Sequence, residues 1–443
     1  MRYEYKNSGI GWLGEMPKHW KVDRIKDKTT AVVGGDWGND PESEGEGKEI
    51  VVLRVSDLNE SYFSFDNLTY RKIKTSSFQS RKITNHCVLI EKSGGGEKQL
   101  VGRVGYPKDI NFEAICSNFM AKIEFNNSVE IHFCNYIFSS LYDLKLNFPY
   151  VQQTTGIQNL NVGYYLTTKV VFPPLQEQKA IADYLDKACT RIDKIIEIKE
   201  KQLERIKLHR KNRINEVVRF GLKKSQIQKT SLSYIPEINE KWSMDRFKDV
   251  ASLRVEKTDE KSEKVDYLEL EDLSQGTGKI LKKNNTMEVA SKVTKFYSGD
   301  VLYGKLRPYL EKYYYADFDG KCTGEILAFE PKKLEGKFLM YLIASNWFIS
   351  LCNSMSYGAK MPRVNWNTQL SQIYLPLPLK KEQIEIISYL DKLSERTYET
   401  TKNIKSQIKT IKKYRKSLIY GCVTGKKQVF FENEKTEKAF AGE

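Results

Sequence analysis

The sequence predicts an α+β protein with an internal pseudo-twofold repeat. Two globular blocks of strands and helices are joined by two long helices that pack as an antiparallel coiled coil. Three observations carry this prediction. One pattern occurs twice, 205 residues apart: Glu177-Gln178 returns as Glu382-Gln383, and Tyr184-Leu185-Asp186-Lys187 as Tyr389-Leu390-Asp391-Lys392. Both copies begin a helical pattern whose apolar residues form one narrow stripe. Ahead of each copy, short strand-like runs precede an apolar helical stretch, the order expected of an α+β domain.

The first block covers residues 1–172. Its opening motif, Glu15-Met16-Pro17-Lys18-His19-Trp20 and then Asp23-Arg24-Ile25-Lys26-Asp27, is echoed by Glu237-Ile238-Asn239-Glu240-Lys241-Trp242 and Asp245-Arg246-Phe247-Lys248-Asp249. The block reads as strands at 49–55 and 87–90, glycine-rich turns at Gly34-Gly35 and Ser93-Gly94-Gly95-Gly96, and an apolar helix over 131–146.

Residues 173–223 form the first long helix. Proline at its start costs little, because the missing N–H has no partner in a first turn. Ile181, Leu185, Ala188, Ile192 and Ile195 are spaced four, three, four and three, and the stripe drifts on to Leu203, Ile206, Ile214 and Val217. Unbroken over 176–219, such a helix is about 66 Å long. The second block covers 224–374, with strand-like runs at 266–270, 299–303 and 325–329 and a helical stretch at 338–352. Residues 375–425 form the second long helix. Ile386, Leu390, Leu393, Thr397, Ile404, Ile408, Ile411, Tyr414 and Leu418 keep near-heptad spacing, an a/d seam. A lone helix cannot bury such a stripe, so each helix is expected to cover the other's. A polar tail, 426–443, completes the chain.

Lys plus Arg number 72 against 57 Asp plus Glu, a net charge of +15, which favours a polyanionic partner and nucleic acid first. The seven cysteines form no C-x-x-C pair and read as reduced core thiols, which implies a cytoplasmic protein. The first twenty residues lack the apolar core of a signal peptide, and no run approaches transmembrane length, so no membrane partner is expected.

The search for catalytic chemistry is nearly empty. Gly299 to Lys305 fits G-x-x-x-x-G-K, but Leu306 stands where a P-loop needs Ser or Thr for magnesium. Asn147-Phe148-Pro149-Tyr150 is only superficially like an amino-methyltransferase motif, and no glycine-rich cofactor loop accompanies it. The four histidines are scattered without metal-ligand spacing, so no metal site is expected.

What remains suits DNA reading. Lys92, Ser93, Lys98, Gln99 and Arg103 surround the triple glycine, where backbone can approach phosphate and the longer side chains can reach base edges. Tyr150, Gln152 and Gln153 form a polar cluster after the helical stretch. The second block offers Lys305, Arg307, Tyr309, Lys360 and Arg363. Tyr313, Tyr314 and Tyr315 read as sheet core or as base contacts.

Taken together, the chain resembles the specificity (S) subunit of a Type I restriction-modification system. The resemblance spans essentially the whole chain. It rests on Ser8-Gly9-Ile10 with Glu15 to Trp20, and on Pro173-Pro174-Leu175-Gln176-Glu177-Gln178 before a long helix. Gly299 to Leu310 and the closing Gly421-Cys422-Val423-Thr424-Gly425 extend it. In the second copy Asn239 and Lys241 replace the proline and histidine of the first, and Leu379 replaces a second proline.

The resemblance implies two target-recognition domains, each reading half of a bipartite DNA site, and helices that fix the gap and dock two methyltransferase (M) subunits. Restriction (R) subunits join for cleavage. It further implies a non-catalytic chain that binds no cofactor, with S-adenosylmethionine, ATP and Mg held by the partner subunits. Two other classes compete: a self-contained DNA methyltransferase or nuclease, which would need a cofactor loop, and a coiled-coil adaptor that binds proteins only.

Overall fold

The computed structural model describes residues 3–59, 62–96, 99–153, 156–223, 226–259, 265–284 and 292–429. The chain forms two compact units. One holds the chain through Glu197 together with the stretch from Gln407 onward, and the other holds Ile198–Ser406. This division does not follow the linear segments: each long helix gives one part to each unit.

In the first unit the strand Cys87–Glu91 is buried along its whole length, as a central strand must be. It pairs antiparallel with Val104–Gly105 on one side and Met120–Phe125 on the other, and Met120–Phe125 pairs in turn with Thr29–Gly34. The two-residue alternation of a strand then divides the core. Val88 and Ile90 join Phe133, Ile137 and Leu141 of the helix Ile131–Asp143. Cys87 and Leu89 join Val51, Leu53 and Ala114 from a second sheet, in which Lys48–Leu53 is central.

The second unit repeats this plan. Val301–Gly304 pairs with Ile326–Pro331 and Tyr313–Tyr315. Val301 and Tyr303 face the helix Gly336–Ile343, while Leu302 faces Leu268, Phe296 and Cys322. Tyr313 is buried, so it belongs to the core. The run Gly299 to Lys305 is mainly a sheet strand, Val301–Gly304, followed by a short 3-10 turn and not by the helix of a P-loop.

Each block is closed by its own first and last strands. Lys21–Arg24 pairs antiparallel with Lys169–Phe172, so that Lys21 faces Phe172. Ser243–Arg246 pairs with Tyr374–Leu377 in the same way, and Ser243 faces Leu377.

The repeated motif is a set of anchors between block and helix. Trp20 Nε1 donates to Glu177 Oε1 at 3.1 Å, and Trp242 Nε1 donates to Glu382 Oε2 at 2.9 Å. Gln178 accepts from Glu130 N at 2.9 Å and donates to Pro173 O at 2.9 Å, while Gln383 accepts from Glu335 N at 2.7 Å and donates to Pro378 O at 3.0 Å. Both glutamines are 1% exposed, and a buried amide requires such partners. Asp186 takes Tyr136 OH at 2.7 Å, Tyr62 OH at 2.8 Å, His132 Nδ1 at 3.1 Å and Lys108 Nζ at 3.2 Å. Its counterpart Asp391 takes Tyr341 OH at 2.7 Å and Lys337 Nζ at 2.6 Å. Burial pushes the Asp186 carboxylate up, but the hydrogen bonds from His132, Tyr136 and Tyr62 outweigh it and hold the group well below the usual carboxylate range.

The long helices span Leu175–Phe220 and Lys380–Val423. The first stops at Gly221, whose φ of +81° suits glycine and whose N–H reaches Val217 O at 2.9 Å. A Cβ there would lie 2.8 Å from Glu382 Oε1. The helices are antiparallel within each unit. Arg415 Nε donates to Asp193 Oδ1 at 3.0 Å in the first, and Arg210 Nε donates to Ser394 Oγ at 3.1 Å in the second.

Ile181, Leu185, Ile192, Leu203, Leu390, Ile404 and Leu418 are buried. Leu393, Ile408 and Ile411 are partly buried against the cores, and Ile206 is of intermediate exposure. The expected phase needs correction at three places. Ile195 is 45% exposed while Ile196 is 8% exposed, Tyr414 is exposed while Arg415 is buried, and Cys189 is buried in place of the half-buried Ala188. The buried first-helix positions Leu185, Cys189, Ile192, Ile196 and Leu203 keep a strict heptad phase, one residue on from the expected one at two steps.

Candidate nucleic-acid interface

In the first unit, loops at the ends of the central strands enclose a cleft of about 850 Å³. Ser93, Gln99 and Arg103 line it, as do Trp37, Arg54, Glu91, Ser117, Asn118 and Phe119, which the sequence reading missed. Arg103 Nε lies 3.3 Å from Glu91 Oε2, and its guanidinium also donates to Val55 O at 3.3 Å. Glu91 is 2% exposed. A charged residue closing the apolar run Cys87 to Ile90, just before three glycines, was the available signal.

Gln152 and Gln153, distant in sequence from the glycines, arrive at the same place. The strand Val151–Gln153 and the strand Ser93–Gly94 flank Gln158–Leu160 in one small antiparallel sheet, where Asn159 faces both Ser93 and Gln152. Both glutamines are exposed. Lys92 is half-buried, with its Nζ lying over Gly34, and is not part of the cleft lining. Tyr150 is half-buried at the edge of the core, its ring packing on Tyr165 with centroids 5.8 Å apart. Lys98 lies outside the described residues. Asn147 serves structure, with its buried amide donating to Val101 O at 2.6 Å.

In the second unit the two candidate segments meet. Arg307 N donates to Pro362 O at 2.6 Å, Val364 N donates to Lys305 O at 3.1 Å, and Leu306 bridges Arg363. Arg307 and Glu311 both hold left-handed backbone, at φ +51° and +52°, on either side of the turn Pro308–Leu310. Non-glycine residues rarely adopt this conformation, and it clusters at functional loops. The pinned loop presents Tyr309, Tyr357 and Met361, each about half exposed, beside Lys305, Arg307, Lys360 and Arg363. Arg363 Nη2 approaches Glu325 Oε1 at 4.0 Å.

Among the described residues no group of three His, Cys, Asp or Glu side chains could hold a metal ion. No single described helix is long and apolar enough to cross a membrane. All seven cysteines are free and buried, and burial pushes the Cys87 thiol up to about 11.

The family described as Type I restriction modification DNA specificity domain matches the chain twice, over residues 17–208 and 239–410. The chain is 28% identical over 181 residues to the Type I restriction enzyme EcoDI specificity subunit of Escherichia coli, a match spanning 39% of either chain. It is 25% identical to the MjaVIII specificity subunit of Methanocaldococcus jannaschii, a match spanning 94% of each. Its fold is similar to that of a chain from a study of assembly and conformational transition of the type I R-M system, with TM-score 0.69, 14% identity, and coverage of 92% of this chain and 98% of that one. It is also similar to the HsdS subunit from Thermoanaerobacter tengcongensis, with TM-score 0.50, 15% identity, and coverage of 93% and 98%.

Proposed function

Because this chain belongs to the Type I restriction-modification DNA specificity family, we propose that each of its two units reads one half of a bipartite, asymmetric site on double-stranded DNA. The chain is a DNA sequence-specificity subunit. The observation that carries the two-half reading is duplication with divergence. Both units share the closing strands, the tryptophan–glutamate contact and the tyrosine–aspartate contact, yet present different loops. The first offers a cleft in which Arg54, Glu91 and Arg103 sit among apolar surface with an aromatic rim, and the second a pinned basic loop. A shared frame with unlike reading surfaces fits an asymmetric target.

The excess of 15 positive charges supplies attraction to phosphate, and the loop side chains supply discrimination at base edges. The paired long helices set the unread gap between the half-sites and dock two methyltransferase (M) subunits, which restriction (R) subunits join. The chain is not itself catalytic and acts in the cytoplasm. S-adenosylmethionine, ATP and Mg are held by its partners.

The test is to co-express the chain with its methyltransferase partner in an unmethylated host and read modified bases by single-molecule sequencing. The expected result is one new motif with two unlike halves around a fixed gap. A stable complex that marks no motif would sink the reading.

A further inference from the structure

Building on that reading, we infer that the Glu91 carboxylate reads the exocyclic amino group of a base, so that the half-site of the first unit carries a cytosine or an adenine at one fixed position. A charge on a central strand is costly to bury without partners. Glu91 is 2% exposed, yet it forms part of a cleft wall and not of the closed core. Its Oε2 takes Arg103 Nε at 3.3 Å. Its Oε1 lies beside Gly94, where a Cβ would sit 2.8 Å away, so a residue without a side chain is what lets the loop come this close to that oxygen.

A second, independent observation points to the same ligand. Ser117 lines the cleft and is 2% exposed, and its Oγ has no hydrogen-bond partner among the described residues. A buried hydroxyl left unpaired is uncommon, and Ser117 differs from the other such hydroxyls, those of Ser140, Tyr165 and Tyr303, in lying on the cleft wall, where an outside group can supply the partner. Trp37 and Phe119, 36% and 47% exposed, supply apolar rim on the same cleft.

The chemistry narrows the ligand. A carboxylate only accepts hydrogen bonds and repels phosphate, so Glu91 cannot serve as a backbone contact. In the major groove the only base donors are the N4 amino group of cytosine and the N6 amino group of adenine. Ser117 can donate or accept beside it.

The experiment uses the full chain in complex with its methyltransferase partner. Binding is selected from a duplex library randomised in the first half-site, for the wild type, Glu91→Gln and Ser117→Ala. Glutamine keeps the shape but can both donate and accept. The expected result for Glu91→Gln is a loss of about tenfold to a hundredfold in preference for the amino-bearing base at one position, with the second half-site unchanged. Ser117→Ala, which removes an already unpaired hydroxyl, lowers preference at the same or the adjacent position. A Glu91→Gln complex that still reads the second half-site and keeps every preference in the first overturns the inference. If that variant does not assemble, unchanged preferences in Ser117→Ala overturn it. A wild-type complex with no two-part preference counts instead against the underlying reading.

Discussion

The Tyr136 hydroxyl donates to Asp186 at 2.7 Å, and 205 residues later Tyr341 donates to Asp391 at the same distance. In each unit one neutral donor from the helix after the central strands meets one carboxylate on a long helix. The contact fixes the reading block to the helix that carries it. A hydrogen bond to a charged group contributes about 1.5–3 kcal/mol. Tyr136→Phe is therefore expected to lower stability by about that amount, and Tyr341→Phe likewise. Urea unfolding of each variant, with a double-mutant cycle against Asp186→Asn for Tyr136 and against Asp391→Asn for Tyr341, measures it. A coupling near zero would show that the contact is ornamental.

The two contacts differ in their third partner, which sets a pH dependence. His132 touches Asp186, packs its ring 4.4 Å from that of Tyr106, and has Lys108 and Glu130 nearby. Burial opposes the imidazolium, but Asp186 outweighs it, so His132 is raised above its ordinary value. A raised folded value means stabilisation fully present below the ordinary pKa of about 6.5 and lost as pH rises through the folded value. The depressed Asp186 acts only under acid conditions, its share being lost as pH falls below the ordinary carboxylate range. The second unit has Lys337 at the matching place. The variant His132→Lys should keep a flat unfolding midpoint between about pH 6 and about pH 9, where the wild type declines. Identical profiles would refute the assignment.

Ile195 and Ile196 are neighbours with opposite fates. Ile196→Ala removes a buried side chain and is expected to cost about 2–5 kcal/mol, while Ile195→Ala should stay within about 0.5 kcal/mol. Thermal unfolding of both decides the phase of the seam. Equal losses would mean that the helices meet on another face.

Lys360 is an exposed cation on the pinned loop of the second unit and has the reach of a phosphate contact. Lys360→Ala should weaken binding to all duplexes alike and lessen the slope of log affinity against log salt by about 1. Arg363→Ala, beside it, should instead relax one base position. Titrations at several salt concentrations distinguish the two.

Much of the fold was legible because repeats and heptads are long signals. The 46-residue and 44-residue helices follow directly from their stripes. The seam phase was not legible at Ala188-Cys189 and Ile195-Ile196, where two adjacent apolar residues fit either step and only packing chooses. The offset of 205 also runs further back than the obvious motif, through Glu130 and Glu335, Phe133 and Phe338, Tyr136 and Tyr341. It was hidden there because only spaced anchors persist. The glycine loop and the Gln152-Gln153 pair were each visible, but their meeting through Asn159 depends on strand order, which local sequence does not encode. Glu91 escaped notice because a carboxylate at the end of an apolar strand looks like a boundary until burial is known.

The ladders that set Lys21 against Phe172 and Ser243 against Leu377 have an effect beyond folding. A block whose chain enters and leaves side by side exerts no demand on what is threaded between those points. At the level of the gene, a pair of crossovers falling within the codons of such a ladder exchanges the whole insert and leaves the tryptophan–glutamate contact and the long helices untouched, provided the new insert brings its own tyrosine to the helix aspartate. Such an exchange is expected to change one half-site in a single step, without a path of intermediates that must each fold and read.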